Sequence, residues 1–265
     1  MFLCIDIGNS TIGFGIFLDA NKSKKPSVWK IPTHPKKSKS YYKKIIADLI
    51  KKKSGIQHSV KDLDSIISSV VPSLDQIIIE AAADICGKRP LILGSKLDCG
   101  IALNVHHPGK IGPDRIANAV AGLYYFKKQF AVVDFGTATT ITVIGKYKDL
   151  LGGTILPGLG IMQRSLHSEA AMLPSVRLLK PKAALGENTS SSIRSGIIYG
   201  TAGAVENIIR NMEKELSFRL KLVLTGGYSN LMSHYIKKEH ILMPYLTFDG
   251  MRLIYLKNSQ RTKYI

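Results

Sequence analysis

The sequence lacks the features that would place it in a membrane or in an oxidising compartment. No apolar run approaches the roughly 18 residues of a membrane-spanning helix, and the apolar start at residues 1–5 is interrupted by Asp6 and too short for a signal peptide. The three cysteines, Cys4, Cys86 and Cys99, show no CxxC or metal-ligand spacing, which predicts neutral or buried thiols. We therefore expect a cytoplasmic protein with one large domain or two smaller ones in its 265 residues.

The sequence is also poor in acidic residues, with 19 against 37 basic ones, and its formal charge is +18. Residues 22–53 carry +11 of that charge, from twelve lysines and a single acid, Asp48. Nucleic-acid sites more often combine arginine with interleaved aromatics, and only Tyr41 and Tyr42 lie nearby. A solvated face that mildly steers anionic substrates, or a generally basic proteome, explains the segment better, so nucleic acid is not an expected partner.

Apolar runs and turn residues predict an alternation of strands and helices, which indicates an α/β fold. Pro72 ends a predicted strand, and Ser73 is the predicted cap of the following helix; Asp249 is the predicted cap of the last helix. The predicted strands cover residues 2–7, 12–18, 28–31, 65–71, 91–93, 130–134, 140–144, 148–156 and 220–224. The predicted helices cover residues 41–53, 73–86, a stretch around 116–123, one after 158, 192–216, one after 227, and 248–256.

One pattern occurs twice, at residues 5–11 and 133–139: apolar, Asp, apolar, Gly, polar, any residue, Ser or Thr. Each copy lies between two predicted strands, and the two aspartates, Asp6 and Asp134, are 128 residues apart, about half the chain. A single turn of this kind has little meaning because Asp and Gly favour turns anyway. Two copies at the same place in similar halves predict a duplication. We place the halves at residues 1–112 and 113–265.

The repeated turns suit phosphate binding. Glycine lets a phosphate approach the backbone N–H groups closely, whereas the neighbouring carboxylate needs a cation, normally Mg²⁺, between itself and the phosphate. Two facing turns would hold a polyphosphate chain in a cleft between two halves, the layout of the acetate-kinase, sugar-kinase, heat-shock-protein and actin superfamily. The expected fold is thus two duplicated ribonuclease-H-like (actin-like ATPase) half-domains with mixed central sheets. The P-loop pattern GxxxxGK[ST] and the pattern GxGxxG are both absent.

The segment Gly112-Pro113-Asp114-Arg115 places a carboxylate and a guanidinium side by side at the start of a predicted helix. A kinase that phosphorylates a hydroxyl needs a carboxylate to accept the proton and a cation to steady the transferred group. The alternative is an ordinary Asp helix cap with Arg115 solvated or in a surface ion pair. Residue types alone leave both interpretations open.

An ordered set of motifs resembles the type III pantothenate kinases over nearly the whole chain. Its most specific members are Gly112-Pro113-Asp114-Arg115 and Asp134-Phe135-Gly136-Thr137-Ala138-Thr139-Thr140. The others are Asp6-Ile7-Gly8-Asn9-Ser10, Ser68-Ser69-Val70-Val71-Pro72, Gly152-Gly153-Thr154-Ile155-Leu156-Pro157-Gly158, Leu173-Pro174, Gly186-Glu187-Asn188-Thr189, Thr225-Gly226-Gly227 and Asp249-Gly250.

The resemblance implies ATP-dependent phosphorylation of pantothenate to 4'-phosphopantothenate, the first step of coenzyme A biosynthesis, by a homodimer. It implies Asp114 as the catalytic base, Asp6 near Mg²⁺, and Asp134 as ligand of a monovalent cation, K⁺ or NH₄⁺. The implied ATP-binding residues are Asp6, Ile7, Gly8, Asn9, Ser10, Thr11, Ile12, Gly13 and Thr137, and the implied pantothenate-binding residues are Gly112, Pro113, Asp114, Arg115 and Thr189. A helix cap is the alternative for Thr189. The alternatives for the whole chain are a non-catalytic accessory or regulatory protein of the same fold, and another kinase or phosphatase of the same superfamily with a different acceptor.

Three features depart from the pattern of that family. Ser10 stands where the family usually has Thr, but it keeps the hydroxyl. Val105 stands at the substrate-pocket position where an aromatic residue is common, and His106 or His107 could replace the aromatic, although each is more often a polar loop residue. The lysine-rich segment, residues 22–53, has no catalytic explanation.

Overall fold

The computed structural model describes residues 1–21, 25–54, 62–94 and 97–261. The strands are β1 (Phe2–Ile7), β2 (Thr11–Phe17), β3 (Ser27–Pro32), β4 (Asp64–Ser69), β5 (Leu91–Ile92), β6 (Ala102–Leu103), β7 (Phe130–Phe135), β8 (Ala138–Ile144), β9 (Asp149–Pro157), β10 (Lys221–Thr225) and β11 (His240–Leu242). The helices are α1 (Lys39–Ser54), α2 (Pro72–Cys86), α3 (Pro113–Tyr125), α4 (Leu159–Glu169), α5 (Thr189–Leu216), α6 (Ser229–Met232) and α7 (Leu246–Arg261).

The first sheet has the strand order β3-β2-β1-β4-β5. β1, β2 and β3 pair antiparallel, while β4 runs parallel to β1 and β5 parallel to β4. Alternate residues of β1 and β2, such as Ile5, Ile7 and Phe14, are fully buried in one core with α1 and α2, which contribute Tyr42 and Leu74 among others. The helical spacing of apolar residues in α1 and α2 places them against that face of the sheet.

The second sheet has the order β11-β10-β7-β8-β9-β6. β7, β8 and β9 pair antiparallel, and β10 and β11 continue parallel on the other side of β7. The order 9-8-7-10-11 repeats the order 3-2-1-4-5 of the first sheet, so the duplication predicted from the paired turns is confirmed. The core here is formed by the sheet with α4 and α5, including Val133, Leu159, Ile198, Val205 and Leu222.

Two compact units contain these sheets. One comprises residues 1–101, 106–121 and 245–265, and the other comprises residues 102–105 and 122–244. The last helix, α7, thus belongs to the unit of the first sheet, whereas the boundary expected from the sequence assigned all of residues 113–265 to the second half. The division at residues 112 and 113 stays a prediction about the duplicated halves.

Both predicted helix caps are wrong. α2 begins at Pro72, and the residue before the helix, Val71, makes no side-chain capping bond. The Ser69 hydroxyl accepts the Val71 N–H at 3.1 Å, just before the helix, and donates to Asp75 of the first turn at 2.5 Å. Asp249 lies inside α7 and accepts two hydrogen bonds from Arg252. The sequence analysis also did not predict the short strands β6 and β11.

Part of the lysine-rich segment forms ion pairs. Lys39 and Lys43 of α1 lie about 3 Å from carboxylate oxygens of Glu80 and Asp84 of α2. These ion pairs are half-exposed, so each contributes little to the free energy of unfolding. Lys22 and Lys24 lie outside the described residues. Tyr42 is buried in the core, which removes one of the two aromatics that a nucleic-acid site in this segment would have used.

All three cysteines are free, and the prediction of neutral thiols is confirmed. Cys4 and Cys86 are buried and Cys99 is half-buried. Burial raises the pKa of Cys4 well above its ordinary value, and it raises the pKa of Cys86 and of Cys99 to about 11. Within the described ranges, no helix is both long and apolar enough to cross a membrane.

Candidate active site

The turn between β1 and β2 presents residues 9–11 to solvent on a rigid base. Gly8 donates its N–H to the Thr11 carbonyl at 3.0 Å, which closes the turn. Asp6, at the end of β1, accepts a 3.0 Å hydrogen bond from the Ser68 hydroxyl of β4. Asn9, Ser10 and Thr11 are exposed while their neighbours Ile7 and Ile12 are buried. The predicted ATP-binding loop is therefore an anchored hairpin turn with its polar residues accessible.

Thr33 holds this turn from outside the motif. Its hydroxyl donates to the Gly8 carbonyl at 2.6 Å, and its N–H donates to the Ser10 carbonyl at 3.1 Å. Thr33 is fully buried, and its hydroxyl bond to Gly8 is partly buried. Nothing in the local sequence indicates that a threonine 25 positions later supports the turn, so this residue was not predicted.

The Gly112-Pro113-Asp114-Arg115 segment forms the first turn of α3. The N–H groups of Arg115 and Ile116 both donate to the Gly112 carbonyl, at 3.1 and 3.2 Å. A side chain on Gly112 would collide with Oδ1 of Asp114, so glycine is needed for this carboxylate to turn back over the helix start. Asp114 thus has the position of a first-turn helix residue, and it is also held in one defined orientation.

The environment of Asp114 makes it a stronger base than an ordinary aspartate. Burial raises its pKa, and this outweighs the opposing effects of two backbone N–H groups, those of Arg115 and Asp114 itself, and of the Arg115 charge. Burial likewise lowers the pKa of Arg115, although a guanidinium stays protonated. A half-buried carboxylate with a raised pKa beside a permanent cation is the arrangement expected of a general base in phosphoryl transfer.

In the second unit, Asp134 lies near the end of β7, and two glycines lie close to its carboxylate. A side chain on Gly226, whose φ is +93°, would collide with Oδ1 of Asp134, and one on Gly136 would come within 3.3 Å of it. Thr225 pairs with Asp134 across the sheet, so the two side chains share a face. The Thr225 hydroxyl is buried without a hydrogen-bond partner among the residues described.

This arrangement fits a monovalent cation. A carboxylate and a buried hydroxyl with unused acceptor capacity are oxygen ligands of the kind that hard cations take. The described part of the chain contains no group of three or more His, Cys, Asp or Glu side chains that could hold a metal. A cation at Asp134 or Asp6 would therefore complete its coordination with hydroxyls, carbonyls, water or a nucleotide.

The turn after Asp134 is held by close backbone packing. A side chain on Gly158, the N-cap residue just before α4, would lie 2.6 Å from the Gly136 carbonyl oxygen and 2.7 Å from the Thr137 carbonyl carbon. Gly136 also donates its N–H to Ala138 at 3.1 Å. The Gly158 of the β9 motif is explained by this contact, which fixes the backbone that carries Thr137.

Thr189 is the first residue of α5, and it is exposed. The cap is Asn188, whose side chain accepts the Ser191 N–H at 3.0 Å while the Ser191 hydroxyl accepts the Asn188 N–H. The helix-cap alternative for Thr189 is therefore wrong. A cavity of about 290 Å³ beside it is lined by Pro181, Lys182, Ala183, Leu185, Glu187, Asn188, Ser190, Ser191 and Arg194.

The predicted site residues divide between the two units. Residues 6–13 and 112–115 lie in the first unit, whereas Val105, Asp134, Thr137 and Thr189 lie in the second. Val105 follows β6 at the end of a short segment that belongs to the second unit, while His106 and His107 belong to the first. The two histidines are exposed.

The paired sheets and their matching turns define a protein of the actin-like ATPase fold, and solved structures agree. A Campylobacter jejuni protein named for the Baf family of transcriptional activators aligns with a TM-score of 0.59 and 20% identity over 97% of this chain and 99% of that one. MreB 5 of Spiroplasma citri, bound to AMPPNP, aligns with a TM-score of 0.57 and 8% identity over 99% and 98% of the two chains. The polyphosphate/ATP-glucomannokinase of Arthrobacter sp. strain KM aligns with a TM-score of 0.50 and 13% identity over 98% of both.

A family profile gives the finer assignment. The profile for type III pantothenate kinase matches residues 2–211, which is most of the chain and includes all but the last two of the motifs described above. The chain belongs to the type III pantothenate kinase family.

Proposed function

We propose that this protein phosphorylates pantothenate at its terminal hydroxyl, with ATP as phosphate donor, to give 4'-phosphopantothenate, a first step of coenzyme A biosynthesis. The observation that carries the proposal is Asp114, a half-buried carboxylate fixed at the start of α3 with a raised pKa and a guanidinium beside it. Membership of the type III pantothenate kinase family supports pantothenate as the acceptor.

Asp114 is the proposed general base. It accepts the proton of the acceptor hydroxyl as that oxygen attacks the terminal phosphorus, and its raised pKa brings it closer to the working pH, which is where a general base is most effective. Arg115 supplies positive charge to the same region, with Gly112 and Pro113 forming the rest of the pantothenate contact. Thr189 and Val105 are further proposed contacts of pantothenate, by their positions in the family pattern.

The hairpin turn is the proposed ATP-phosphate site of the first unit. Its accessible residues, Asn9, Ser10 and Thr11, offer N–H groups and short polar side chains, and Gly8 leaves the backbone before them without a side chain. Asp6 is the proposed indirect ligand of Mg²⁺, which would neutralise phosphate charge when bound. In the second unit, Thr137 is the proposed nucleotide contact.

Asp134 is the proposed ligand of a monovalent cation, K⁺ or NH₄⁺. The support is the glycine-bordered carboxylate together with the buried, unpartnered hydroxyl of Thr225 on the same sheet face. The cation would supply fixed positive charge near the nucleotide phosphates.

A coupled ADP-release assay tests the proposal directly. We expect turnover that requires pantothenate and that falls when K⁺ is replaced by Na⁺. Asp114→Asn should lower kcat by about 10²- to 10⁴-fold, the usual contribution of a general base, while Asp48→Asn, at an exposed position of α1, should match the wild type. Near-wild-type turnover of Asp114→Asn would refute the base assignment, and no turnover with pantothenate in either salt would favour an accessory protein.

We also propose a cytoplasmic homodimer with α5 at its interface. Gly196, Gly200 and Gly203 lie on one exposed stripe of α5, and a side chain at any of them would meet nothing within 4 Å. Each glycine inside a helix costs about 1 kcal/mol relative to alanine, a cost that close approach of a second backbone would offset. Tyr199, 41% exposed, borders the same stripe.

Sedimentation equilibrium tests the dimer. Gly200→Leu should fill the open stripe and shift the population toward monomer, whereas Asp48→Leu, on the exposed face of α1, should leave the dimer intact. A wild-type chain that sediments as a monomer at micromolar concentration, or a Gly200→Leu dimer as tight as the wild type, would contradict this interface.

A further inference from the structure

Helix α7 lies on the same face of the first sheet as the Asp6 side chain. Asp6 pairs with Gly13 of β2 and with Ser68 of β4, so these residues project to one face. Cys4, two residues before Asp6 and therefore on that face, contacts the Phe248 carbonyl of α7 at 3.7 Å. The face opposite packs against α1 and α2. The helix therefore covers the sheet directly behind the proposed phosphate turn.

Phe248 packs on bare backbone of β2. A side chain on Gly13 would come within 2.9 Å of its ring, and one on Gly15 within 2.7 Å. Contacts this short do not occur, so both glycines are required for the ring to lie flat on the strand. Gly13 is the last residue of the proposed ATP-binding loop and the cross-strand partner of Asp6. The ring therefore supports the strand that leads out of that loop.

The other side of α7 meets α3 backbone to backbone. A side chain on Gly250 would overlap the carbonyl group of Ala117 and come within 2.9 Å of its Cα. The Thr247 hydroxyl, one turn earlier, donates to Oδ1 of the buried Asn118 at 2.8 Å. Ala117 lies one helical turn after Asp114, so this contact sets the position of the turn that carries the proposed base.

Arg252 of α7 ties the helix to the chain that follows β2. Asp249 accepts from Nε and Nη2 of Arg252 at 3.2 and 3.0 Å, and Nη1 of Arg252 donates to the Ala20 carbonyl at 2.7 Å. Both charged side chains are about 95% buried, and the guanidinium also lies 5.5 Å from the Phe17 ring centroid, at the end of β2. The helix can therefore neither slide nor rotate without breaking buried bonds.

We propose that Gly250 and Phe248 are positioning residues, which set the base on α3 and the phosphate turn of β1 and β2 at a fixed separation through the single helix α7. The inference rests on the proposed roles of Asp114 and of residues 6–13. It concerns α7, which lies beyond the part of the chain that the family profile matches, residues 2–211. Helix α7 acts on the reacting groups through other residues.

Gly250→Ala tests the α3 side. Because the methyl group would overlap backbone, which cannot rotate away, α3 and α7 must separate by on the order of 1 Å. A displacement of that size at a reacting group lowers rates by about 100-fold. We expect kcat to fall about 100-fold while the KM for ATP stays within about threefold, since the hairpin turn is untouched.

Phe248→Leu tests the hairpin side and should give the opposite pattern. Leucine keeps the position apolar but leaves part of the Gly13 and Gly15 surface unsupported. We expect the KM for ATP to rise about tenfold, with kcat lowered less than in Gly250→Ala. Nucleotide affinity can also be followed by the fluorescence of Trp29, the only tryptophan, which pairs with Phe14 of β2. That affinity should weaken in Phe248→Leu and stay unchanged in Gly250→Ala.

Ile254→Ala is the matched control, because Ile254 is a fully buried α7 residue whose truncation lowers stability by creating a cavity. If Ile254→Ala and Gly250→Ala lose kcat equally at equal loss of Tm, α7 is only structural and the inference is overturned.

Should Gly250→Ala not fold, Thr247→Val decides instead. It removes the bond to Asn118 with little change of shape, and we expect kcat to fall about threefold to tenfold; an unchanged kcat overturns the inference.

These outcomes are separable from failure of the proposed function. Turnover of the wild type with pantothenate tests the proposed substrate. The ratio of kcat in each variant to kcat in the wild type tests the positioning role, and it can be measured with whichever hydroxyl acceptor is phosphorylated. If the wild type phosphorylated no acceptor, the Trp29 titrations would still decide the hairpin side: equal nucleotide affinity in Phe248→Leu and the wild type would overturn it.

Discussion

Replacing Gly226 with alanine would add one methyl group at the point where β10 passes Asp134. That methyl group would lie 2.7 Å from N and C of Phe135 and would overlap Oδ1 of Asp134. The residue also has φ +93°, a conformation that costs about 1–2 kcal/mol for a residue with a side chain. The substitution should therefore both destabilise the second unit and displace the proposed cation ligand.

The two effects can be measured separately. The strain should lower Tm by about 2–4 °C for each kcal/mol. The displaced carboxylate should raise the K⁺ concentration for half-maximal activity at least about tenfold, equivalent to about 1.4 kcal/mol of lost cation binding. The assay is ADP release over a K⁺ titration at constant ionic strength, beside a thermal melt.

Gly152→Ala is the control for strain alone. Gly152 has φ +135°, but a side chain there would meet nothing within 4 Å. It should lower Tm by a similar amount and leave the K⁺ titration unchanged. If Gly226→Ala kept the wild-type response to K⁺, or if both variants shifted it equally, Asp134 would not be the cation ligand and the space around its carboxylate would need another explanation.

Two further predictions concern the first unit. Thr33→Val removes the bond from its buried hydroxyl to the Gly8 carbonyl. It should lower the free energy of unfolding by about 1 kcal/mol and raise the KM for ATP several-fold. The control is Thr201→Val, which loses a buried hydroxyl bond of the same 2.6 Å length inside α5 and should lose similar stability without a change in that KM. The folded-state pKa of Asp114 is raised above its ordinary value of 3.8. The ionised carboxylate therefore destabilises the folded protein relative to the unfolded chain. Asp114→Asn should therefore be at least as stable as the wild type at pH 7, and its advantage in free energy of unfolding should shrink as the pH falls toward 4. Urea unfolding measures this over the same pH range. A variant less stable than the wild type throughout that range would contradict the prediction. The acid limb of kcat/KM in the wild type should lie above the range of an ordinary aspartate.

Local patterns predicted most of the elements correctly. The apolar runs at residues 2–7 and 130–134 give β1 and β7 almost to the residue, because a buried strand needs a continuous apolar stretch that ends at turn residues. Helix starts were harder. Ser73 and Asp249 have the right residue types for caps, yet α2 starts at Pro72 and α7 starts at Leu246, since a cap depends on backbone angles and on the available N–H groups rather than on residue type alone.

The supporting residues of the candidate site could not be predicted. Thr33 stands in unremarkable local sequence, and the Asp249-Gly250 motif does not indicate which residue Gly250 meets. Their roles arise from contacts with Gly8 and with Ala117, residues 25 and 133 positions away in the chain. A tertiary contact leaves no periodic signal in the sequence. The division into two compact units also arises from tertiary contacts, because α7 packs on the first sheet although it follows the second sheet in the chain.

The sequence by itself determined the duplication, the two Asp-x-Gly turns and the Gly112–Arg115 segment, because these depend on short-range backbone geometry that residue types encode directly. Only the tertiary structure decided which neighbours act on them: burial that raises the pKa of Asp114, glycines that leave room beside Asp134, and a last helix that packs against both β2 and α3. The physical reason is that desolvation and close packing depend on what surrounds a group in space, and those surroundings come from distant parts of the chain.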